Sequence, residues 1–487
     1  MPTHIRVLAA LPAVLRRPPA WSLVALWTLA LGLWGLSRHH TVWRDEAATW
    51  QVARRPAADI WHLLGQVDSV HGLYYLLMHG LFTLFGPGTT TLRLPSVLAT
   101  SVAAACVTVI GRRLGGSRAG NAAGFTLGLL PAVEFYLQEG RPYALIAMGA
   151  SISTLLLVTS LNGRESNGRW ATYAATVAVC ALLNWLSLLI LPAHLLTLLL
   201  ARADRTTWAR WAGAACGATA CAAPLILFSR GQAQQVSWIP ALTWHLLIGP
   251  AVLLALGALG ALLDRSRPRR PSLTSVGLPL LAMPQLALLG ISLVQPLYLD
   301  RYILFSMLGL ALLIGAALDA ALHAVAARAP RTRPWLLSTS IGAATLALLP
   351  QLLDKRSPES RVDDVLAVAH DVRRLKHPGD AVLFIPAARR DAALVSPADF
   401  DGLRDIALAQ TPLTSGTLKG VESTPHRLRG QLAAQHRVLL VTDSPDLARP
   451  PTAARDQVKL AVLHHRFRPV ADRRSHGRRV TVYERRP

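Results

Sequence analysis

The chain has 487 residues, of which 52% are hydrophobic and only 16% are charged, whereas a soluble protein carries about 25% charged residues. This composition excludes an ordinary soluble protein and indicates one that lies in a lipid bilayer. The formal net charge of +23 would suit nucleic acid, but the arginines lie between apolar runs and not along one stripe with aromatic residues, which excludes a nucleic-acid partner.

The first predicted element is a membrane-spanning helix over residues 21–37. Arg6, Arg16 and Arg17 precede it, and by the positive-inside rule they place the N-terminus in the cytoplasm. No A-x-A-like cleavage site ends this apolar run, so we expect an uncleaved anchor. The chain from Arg38 onward then lies outside.

The next apolar stretch, HGLYYLLMHGLFTLFG, covers residues 71–86. Its sixteen residues are interrupted by two histidines and by two internal glycines, Gly72 and Gly80, and they would only just cross about 30 Å of hydrocarbon. We therefore expect this stretch to lie in the membrane interface. Under that choice the second span covers residues 92–111, and Arg112, Arg113 and Arg118 fall on the cytoplasmic side.

Further apolar runs predict nine more spans, which makes about eleven in all. The run from residue 170 to residue 201 must be split at the sequence NWLS to give two of them. The nine spans are predicted at residues 119–135, 143–161, 170–186, 187–201, 211–228, 244–263, 276–294, 302–322 and 335–353. The basic loops between them then share one side of the membrane, and the odd count places the C-terminus outside.

From Asp354 onward the pattern changes to that of a soluble α/β domain. Residues 362–377 predict an amphipathic helix. Short strands are predicted at residues 380–386, 436–443 and 479–485. No Walker or G-x-G-x-x-G motif follows these strands, so we expect no nucleotide site. The predicted fold class is an α-helical polytopic membrane protein with interfacial helices on its outer face, over residues 1–353, and an extracytoplasmic α/β domain over residues 354–487.

Acidic side chains of the membrane region collect on the predicted outer face. Asp45 and Glu46 directly follow the first span, where a carboxylate at the edge of hydrocarbon is costly unless it is paired, hydrated or used. The structural interpretation is that the pair caps an interfacial helix over residues 46–55. The functional interpretation is compatible with it, because a cap also holds a carboxylate where a substrate can meet it. The same face carries Asp59, Asp68, Gln138 and Glu139.

Two later clusters lie at the same outer surface. Glu139 and Arg141 lie in a break between two spans, and a buried salt bridge between them that fixes the turn is the structural alternative. Asp300 and Arg301 begin a helix. Arg301 could merely extend its side chain toward the headgroups, but a guanidinium at that level is also the group that grips a lipid phosphate.

Asp68 and His71 are three residues apart and leave two alternatives open. They could share a divalent metal ion, or His71 could simply hydrogen-bond to the carboxylate. Two potential ligands at helical spacing do not define a site. No cofactor is therefore assigned, and a divalent metal stays an open alternative.

Together these segments resemble the GT-C membrane glycosyltransferases. The resemblance lies in the Asp-Glu pair after the first span, DSVHGLYYLLMHGLFTLFG with the following LRLPSVLA, QEGRPYAL, and a late DRYIL. It covers about residues 20–320. The branch it looks most like is glycosyltransferase family 39, with the protein O-mannosyltransferase, aminoarabinose transferase and RgtA-like group. One departure is HGLYY at residues 71–75, where relatives often read H-P-P-L-Y-Y, which leaves the role of His71 open.

The resemblance implies transfer of a mannosyl or other hexosyl or pentosyl group from a polyprenyl-phosphate carrier to an acceptor outside the plasma membrane, with inversion. The implied acceptor is an envelope glycan, a lipid or a protein. The implied catalytic residues are Asp45, Glu46 and Glu139. The implied ligands of the donor phosphate are Arg301 and Tyr302. The implied substrate-binding residues are Asp68, His71, Tyr74, Gln138, Arg141 and Tyr143.

The residues support this chemistry independently of the resemblance. A hydroxyl that attacks an anomeric carbon needs a carboxylate to take its proton, and the departing phosphate needs a cation; Asp45 and Arg301 supply the two. The rival is a multi-span transporter or lipid flippase, for which inverted repeats and broken mid-span helices are expected. The charges here lie at span ends, which favours the enzyme. A structural anchor for the C-terminal domain would leave the outer-face carboxylates without a purpose.

Overall fold

The computed structural model describes residues 19–163, 165–232, 236–265, 271–332 and 334–487. The basic residues that oriented the N-terminus, Arg6, Arg16 and Arg17, lie outside this described part.

As far as Asp354, all regular secondary structure in the described residues is helical. The α-helices are α1 (Ala20–Leu33), α2 (Arg44–Ala53), α3 (Ala57–Gln66), α4 (Gly72–Phe85), α5 (Thr89–Gly115), α6 (Ser117–Leu129), α7 (Pro131–Leu137), α8 (Tyr143–Leu161), α9 (Asn167–Leu183), α10 (Ile190–Ala201), α11 (Arg205–Arg230), α12 (Trp244–Leu262), α13 (Leu273–Ser292), α14 (Met307–Arg328) and α15 (Leu336–Asp354). Each of the eleven predicted spans overlaps one of these helices.

Within the described residues, eight helical stretches are long and apolar enough to cross a bilayer: Ala20–His40, Thr89–Gly115, Tyr143–Leu161, Arg205–Arg230, Trp244–Leu262, Leu273–Ser292, Asp300–Arg328 and Leu336–Asp354. The prediction of a multi-pass helical membrane protein is therefore confirmed. The other three predicted spans fall on the shorter helices α6, α9 and α10. The total of eleven crossings stays a prediction.

The predicted split between the fifth and sixth spans is present. Helix α9 ends at Leu183, and a 3-10 turn over Trp185–Leu189 precedes α10. Asn184 directs this break, because its side chain accepts the backbone N–H of Leu186 and so replaces a lost helical hydrogen bond.

Close helix approach in the membrane unit depends on small residues. A Cβ added at Gly111 would lie 2.7 Å from the Cα of Gly120, and one added at Gly315 would lie 2.7 Å from the carbonyl oxygen of Ala119. Helices α5, α6 and α14 therefore touch backbone to backbone, as small residues allow in a membrane interior.

Three short helices, α2 to α4, connect α1 to α5. Helices α2 and α3 have 10 residues each and α4 has 14, so none of them is among the eight long apolar stretches. Trp61 on α3 and Phe85 at the end of α4 are 68% and 73% exposed. The predicted interfacial helices are thus present, with large apolar side chains on their surface as in helices that lie along a membrane.

The chain after Asp354 builds a sheet with helices on both faces. Its elements are α16 (Val365–Leu375), β1 (Ala381–Ile385), α17 (Asp391–Val395), β2 (Arg404–Asp405), β3 (Leu408–Gln410), β4 (Val421–Glu422), α18 (Pro425–Ala433), β5 (Arg437–Asp443), α19 (Ala454–Arg466), β6 (Phe467–Ser475) and β7 (Arg478–Arg485). The five-stranded sheet has the order β2-β1-β5-β7-β6, and β3 pairs with β4 separately. Strand β1 is parallel to its neighbours β2 and β5, and the other pairs are antiparallel.

Strand β1 shows why helices cover both faces of this sheet. Val382 and Phe384 point into one buried cluster with Val368 of α16, while Leu383 points into another with Leu428 of α18. An apolar residue at every position is typical of a strand that is buried on both faces. The predicted α/β character, the helix and the three predicted strands are confirmed. We refer to residues 355–487 below as the C-terminal unit.

Candidate active site

Helix α2 places Asp45 and Glu46 in its first turn. The prediction that the two side chains cap this helix is wrong, because the N-cap is Trp43 and no side chain within α2 makes a capping hydrogen bond. The helix also begins earlier than predicted, at Arg44. The two carboxylates still suit the positive end of the helix dipole. Their hydrogen-bond partners, however, come from other elements.

Asp45 forms an ion pair with Arg301, whose Nη1 lies 2.9 Å from the carboxylate oxygen Oδ2. Arg301 is in the 3-10 turn Asp300–Ser306 that leads into α14, and its backbone N–H is accepted by Asp300. Asp45 and Arg301 thus join two segments that are 256 residues apart. This pair agrees with the prediction that the two segments lie at the same surface of the molecule.

The guanidinium of Arg301 lies among aromatic rings. Its carbon Cζ is 5.6 Å from the ring of Trp238 and 5.9 Å from that of Tyr302, which are cation–π distances. The side chain is only 16% exposed, so the alternative of an arginine that merely extends toward headgroups is wrong. Its buried Nε has no hydrogen-bond partner in the described part of the chain.

Glu46 lies in a closed ion-pair cluster. Its two carboxylate oxygens accept hydrogen bonds from Nε and Nη2 of Arg93, both at 2.7 Å, from Arg38 at 2.9 Å, and from the N–H of Gly140 at 3.1 Å. Burial alone would raise the pKa of Glu46, but the guanidinium groups of Arg93 and Arg38 outweigh it and lower that pKa to about 2. The carboxylate is therefore ionised and fully engaged.

Glu139 is also enclosed. It accepts the indole N–H of Trp43 at 2.5 Å and Nε of Arg361 at 3.0 Å. The alternative of a Glu139 to Arg141 salt bridge is wrong, since the guanidinium of Arg141 instead reaches Thr49 and His71. Burial raises the pKa of Glu139, and the neighbouring charge of Glu46 adds to this effect.

Gln138, a predicted substrate ligand, is bonded to the backbone. Its side-chain amide nitrogen donates to the backbone carbonyls of Gly32 and Trp34 at the end of α1. The backbone carbonyl of Gln138 accepts a hydrogen bond from Arg38. The turn that carries Gln138 and Glu139 is therefore fixed against the exit of α1. Of the three predicted catalytic carboxylates, Asp45 alone lies at a partly open position, with 24% of its side chain exposed.

The other predicted substrate ligands surround the Asp45–Arg301 pair in an aromatic and cationic cluster. The ring of Tyr143 packs near that of Tyr302, with the centroids 6.2 Å apart. Arg141 Nη2 lies 3.0 Å from His71 Nε2. In the described part of the chain four buried polar atoms of this cluster have no protein partner: Tyr74 Oη, His71 Nδ1, Arg141 Nε and Arg301 Nε. Buried polar groups normally have partners, so these atoms are available to bind a polar ligand or ordered water.

Asp68 and His71 do not fit a metal site. Tyr75 donates its hydroxyl to Asp68, and the guanidinium of Arg141 occupies the neighbourhood of His71 Nε2, where a second cation would be repelled. Burial, together with the charge of Arg141, lowers the pKa of His71 to about 4. Nowhere in the residues that the structure describes do three or more His, Cys, Asp or Glu side chains gather as metal ligands.

A cleft of about 500 Å³ lies beside the other end of α2. Gln51, Arg54 and Arg55 line it on one side, and Phe384 and Leu403 of the C-terminal unit line it on the other. Neither Asp45 nor Arg301 lines this cleft, so it is separate from the polar cluster described above.

Sequence reasoning missed the arginines that hold the carboxylates, namely Arg38, Arg93 and Arg361, and the indole of Trp43. A signal existed for Arg93, which interrupts the apolar sequence TLRLPSVLA. A lone arginine in such a segment needs a buried ionic partner. Its partner could not be named, because Glu46 lies 47 residues away in the chain.

Two comparisons with known proteins bear on this geometry, and in a third no curated protein matches the chain. Residues 72–229 match the family model described as dolichyl-phosphate-mannose-protein mannosyltransferase. Among solved structures, ArnT from Cupriavidus metallidurans bound to undecaprenyl phosphate has a TM-score of 0.62 and 17% identity, over 95% of this chain and 97% of that one. The same protein in the apo state has a TM-score of 0.63 and 16% identity over the same shares of the two chains.

A more distant likeness is to the apo form of the Archaeoglobus fulgidus oligosaccharyltransferase. Its TM-score is 0.51 with 12% identity, over 87% of this chain and 69% of that one. The predicted resemblance to the GT-C membrane glycosyltransferases is therefore confirmed. At these identities the structural likeness establishes the shared fold, which extends from the membrane helices into the C-terminal unit.

Proposed function

We propose that this chain is a glycosyltransferase whose active site lies at the outer face of the plasma membrane. It transfers a glycosyl group from a polyprenyl-phosphate-linked donor to a hydroxyl acceptor and inverts the anomeric carbon. The observation that carries the proposal is the Asp45–Arg301 pair. A candidate proton acceptor and a candidate phosphate ligand lie 2.9 Å apart, within a fold that it shares with ArnT, whose structure contains undecaprenyl phosphate.

The reaction is a single displacement. The acceptor oxygen attacks the anomeric carbon while the carboxylate of Asp45 takes the proton of that hydroxyl. The bond from the anomeric carbon to the phosphate oxygen breaks, and its electron pair leaves with the phosphate. The guanidinium of Arg301 stabilises the charge that grows there, with no proton transfer needed.

Arg301 can serve both the carboxylate and the phosphate because only part of its fork is engaged. Its Nη1 contacts Asp45, whereas its buried Nε has no partner in the described residues. A phosphate is an acceptor that such a donor suits, and two charge-assisted hydrogen bonds would hold it in one orientation.

Glu46 and Glu139 act in this proposal by holding the site in place. Both are enclosed by arginines and hydrogen-bond donors, and both belong to the framework around α2. The substrate contacts are assigned to the atoms without partners on Tyr74, His71 and Arg141, together with the rings of Tyr143 and Tyr302. The donor sugar is a hexose or pentose, mannose included, and the acceptor is an envelope glycan, a lipid or a protein.

Reconstitution tests the proposal directly. The purified chain in nanodiscs is given polyprenyl-phosphate-linked sugars with a labelled glycosyl group, and mass spectrometry follows transfer and the stereochemistry of the product. Asp45→Asn should lower kcat by about a thousand-fold or more, because the amide cannot accept the proton. Asp59→Asn, in the first turn of α3, is the matched control and should keep wild-type activity. Full activity of Asp45→Asn would remove the assignment.

The transporter alternative has its own readout. Sealed vesicles that take up labelled donor into the lumen, with no glycosyl transfer in either assay, would show that the chain moves a lipid or its sugar across the membrane. The proposal expects transfer and no net uptake.

A further inference from the structure

We propose that Asp363 of the C-terminal unit is a positioning residue for Asp45. This inference rests on the proposed function, since it concerns where the proton-accepting carboxylate lies. It adds a role for the C-terminal unit in the chemistry, through a residue that touches neither donor nor acceptor.

Asp363 holds the residue next to Asp45 by two bonds. Its Oδ1 accepts the backbone N–H of Arg44 at 3.0 Å, and its Oδ2 accepts Nε of the Arg44 side chain, also at 3.0 Å. Helix α2 has no capping side chain of its own, and Arg44 is its first residue. Asp363 therefore supplies the missing N-terminal cap from 319 residues further along the chain.

Asp363 is itself rigidly held. It is 1% exposed, and Arg478 of β7 donates Nε to its Oδ2 at 2.9 Å. The terminal nitrogens of Arg478 bind both oxygens of Asp391 at 3.1 and 2.6 Å. Burial opposes ionisation of Asp363, but Arg478 and Arg44 lower its pKa on balance, so the charge needed for the pair is present.

A backbone contact strengthens the same attachment. Val365 at the start of α16 donates its N–H to the carbonyl of Val42 at 2.7 Å. The side chains of Val42 and Ala47 are buried in the cluster of the C-terminal unit that contains Val365. The first turn of α2 is thus packed into the C-terminal unit, while Arg301 belongs to the membrane unit. The separation between Asp45 and Arg301 therefore depends on how the C-terminal unit holds α2.

The test compares Asp363→Asn with Asp380→Asn. Asp380 is a second buried aspartate of the C-terminal unit. It accepts the N–H of His377 and pairs with Arg437, and both of these partners lie within that unit. Asp363→Asn should lower kcat for glycosyl transfer by about ten- to a hundred-fold, as a misplaced catalytic group does, with donor KM unchanged within about two-fold. Asp380→Asn should keep both constants within about two-fold, even where it lowers Tm equally.

A double-mutant cycle separates positioning from general destabilisation. Arg44→Ala combined with Asp363→Asn should lower kcat little more than Asp363→Asn alone, because both changes break the same ion pair between the Arg44 guanidinium and Asp363. Arg44→Ala combined with Asp380→Asn should show simple addition of the two effects. Additive losses for Arg44 with Asp363, or a kcat loss in Asp363→Asn no greater than in Asp380→Asn at equal folded protein, would overturn the inference. Loss of activity in Asp45→Asn alongside such a result would leave the proposed function standing.

Discussion

Arg301 pairs with Asp45, and the geometry of its guanidinium allows the effect of its charge to be tested separately from the effect of its shape. Nη1 reaches the carboxylate, Nε has no partner in the described chain, and the rings of Trp238 and Tyr302 flank the guanidinium plane. A point charge could neutralise Asp45, but it could not also present a second directed donor to a phosphate.

Arg301→Lys should therefore raise the donor KM by about ten-fold or more and lower kcat as well, because the lysine keeps the charge but loses the planar fork. Steady-state transfer at varied donor concentration measures both constants. Arg328→Lys, at the exposed opposite end of α14, is the matched control and should leave them unchanged. Equal kinetics in the two variants would contradict the assignment of a phosphate to Arg301.

The buried ion pairs of Glu46 lead us to expect that a substitution there lowers the stability of the fold. Removal of its charge leaves Arg38 and Arg93 buried without a carboxylate, and breaking one partner of a buried ion pair costs about 3–5 kcal/mol. Glu46→Gln should accordingly lower Tm and the yield of folded protein. Glu359→Gln, at an exposed glutamate of the 3-10 turn Pro358–Ser360, is the control. A Tm for Glu46→Gln as high as that of the control would show that the cluster is not essential to the fold.

At the scale of elements, the turn before α4 carries a group that responds to pH. His71 is buried beside Arg141, with the carboxylate of Asp68 at 3.9 Å, and its folded pKa of about 4 lies below the ordinary value of 6.5. The unfolded chain therefore binds a proton at His71 between pH 6.5 and 4, where the folded chain does not. Stability from the neutral ring is complete above pH 6.5 and is lost as the pH falls through this window.

We expect the Tm of the protein in nanodiscs to fall between pH 7 and pH 5, and His71→Gln to reduce that fall by roughly a few degrees. Glutamine can still accept a hydrogen bond from Arg141 but has no proton to gain. His79→Gln, at a half-buried position of α4 where the ring donates to the carbonyl of Ala53, serves as the control variant. Parallel Tm curves for wild type and His71→Gln would show that this ring does not set the pH response.

Some helices and strands were easier to predict from the sequence than others. The break at Asn184 and the strands β1, β5 and β7 were predicted, because each has a local cause: a competing side-chain hydrogen bond, or a run of apolar β-formers between turns. Strand β6, with the sequence FRPVADRRS, was missed. It is an edge strand paired only with β7, and its exposed face tolerates charges that hide the two-residue alternation.

At the scale of the whole molecule, buried ion pairs join the C-terminal unit to the membrane helices. Arg356 reaches Glu134 at 2.8 Å, and Arg361 reaches Glu139 at 3.0 Å. Each guanidinium also binds backbone carbonyls, Arg356 that of Leu31 and Arg361 that of Phe135. Separating either buried pair would leave an uncompensated charge, which is strongly destabilising, so the two pairs hold the units in one arrangement.

The orientation of that arrangement in the membrane is a further prediction. In a background without the native cysteines, Thr411→Cys in the C-terminal unit should react with an impermeant maleimide added to intact cells. Asn162→Cys, exposed between α8 and α9, should react only after the membrane is opened. Labelling of Asn162→Cys from outside would reverse the topology and move the Asp45–Arg301 pair to the cytoplasmic face.

Sequence alone was enough to predict which part of the chain lies in the membrane and which part lies in water. It also predicted most of the helices and the segments that carry the candidate site. Each of these leaves a local mark, whether an apolar run, a cluster of arginines or a carboxylate at the end of a span. Asp45 and Arg301 were named from such marks.

Only the tertiary structure distinguished among the carboxylates. Asp45 and Glu46 are neighbours in sequence, yet one faces Arg301 across a partly open site and the other is enclosed by Arg38 and Arg93. The partners come from distant segments, and an ion pair across 256 residues imposes no periodicity and no composition on either end. The two carboxylates differ in burial and in which guanidinium lies within hydrogen-bonding distance, and both are properties of packing.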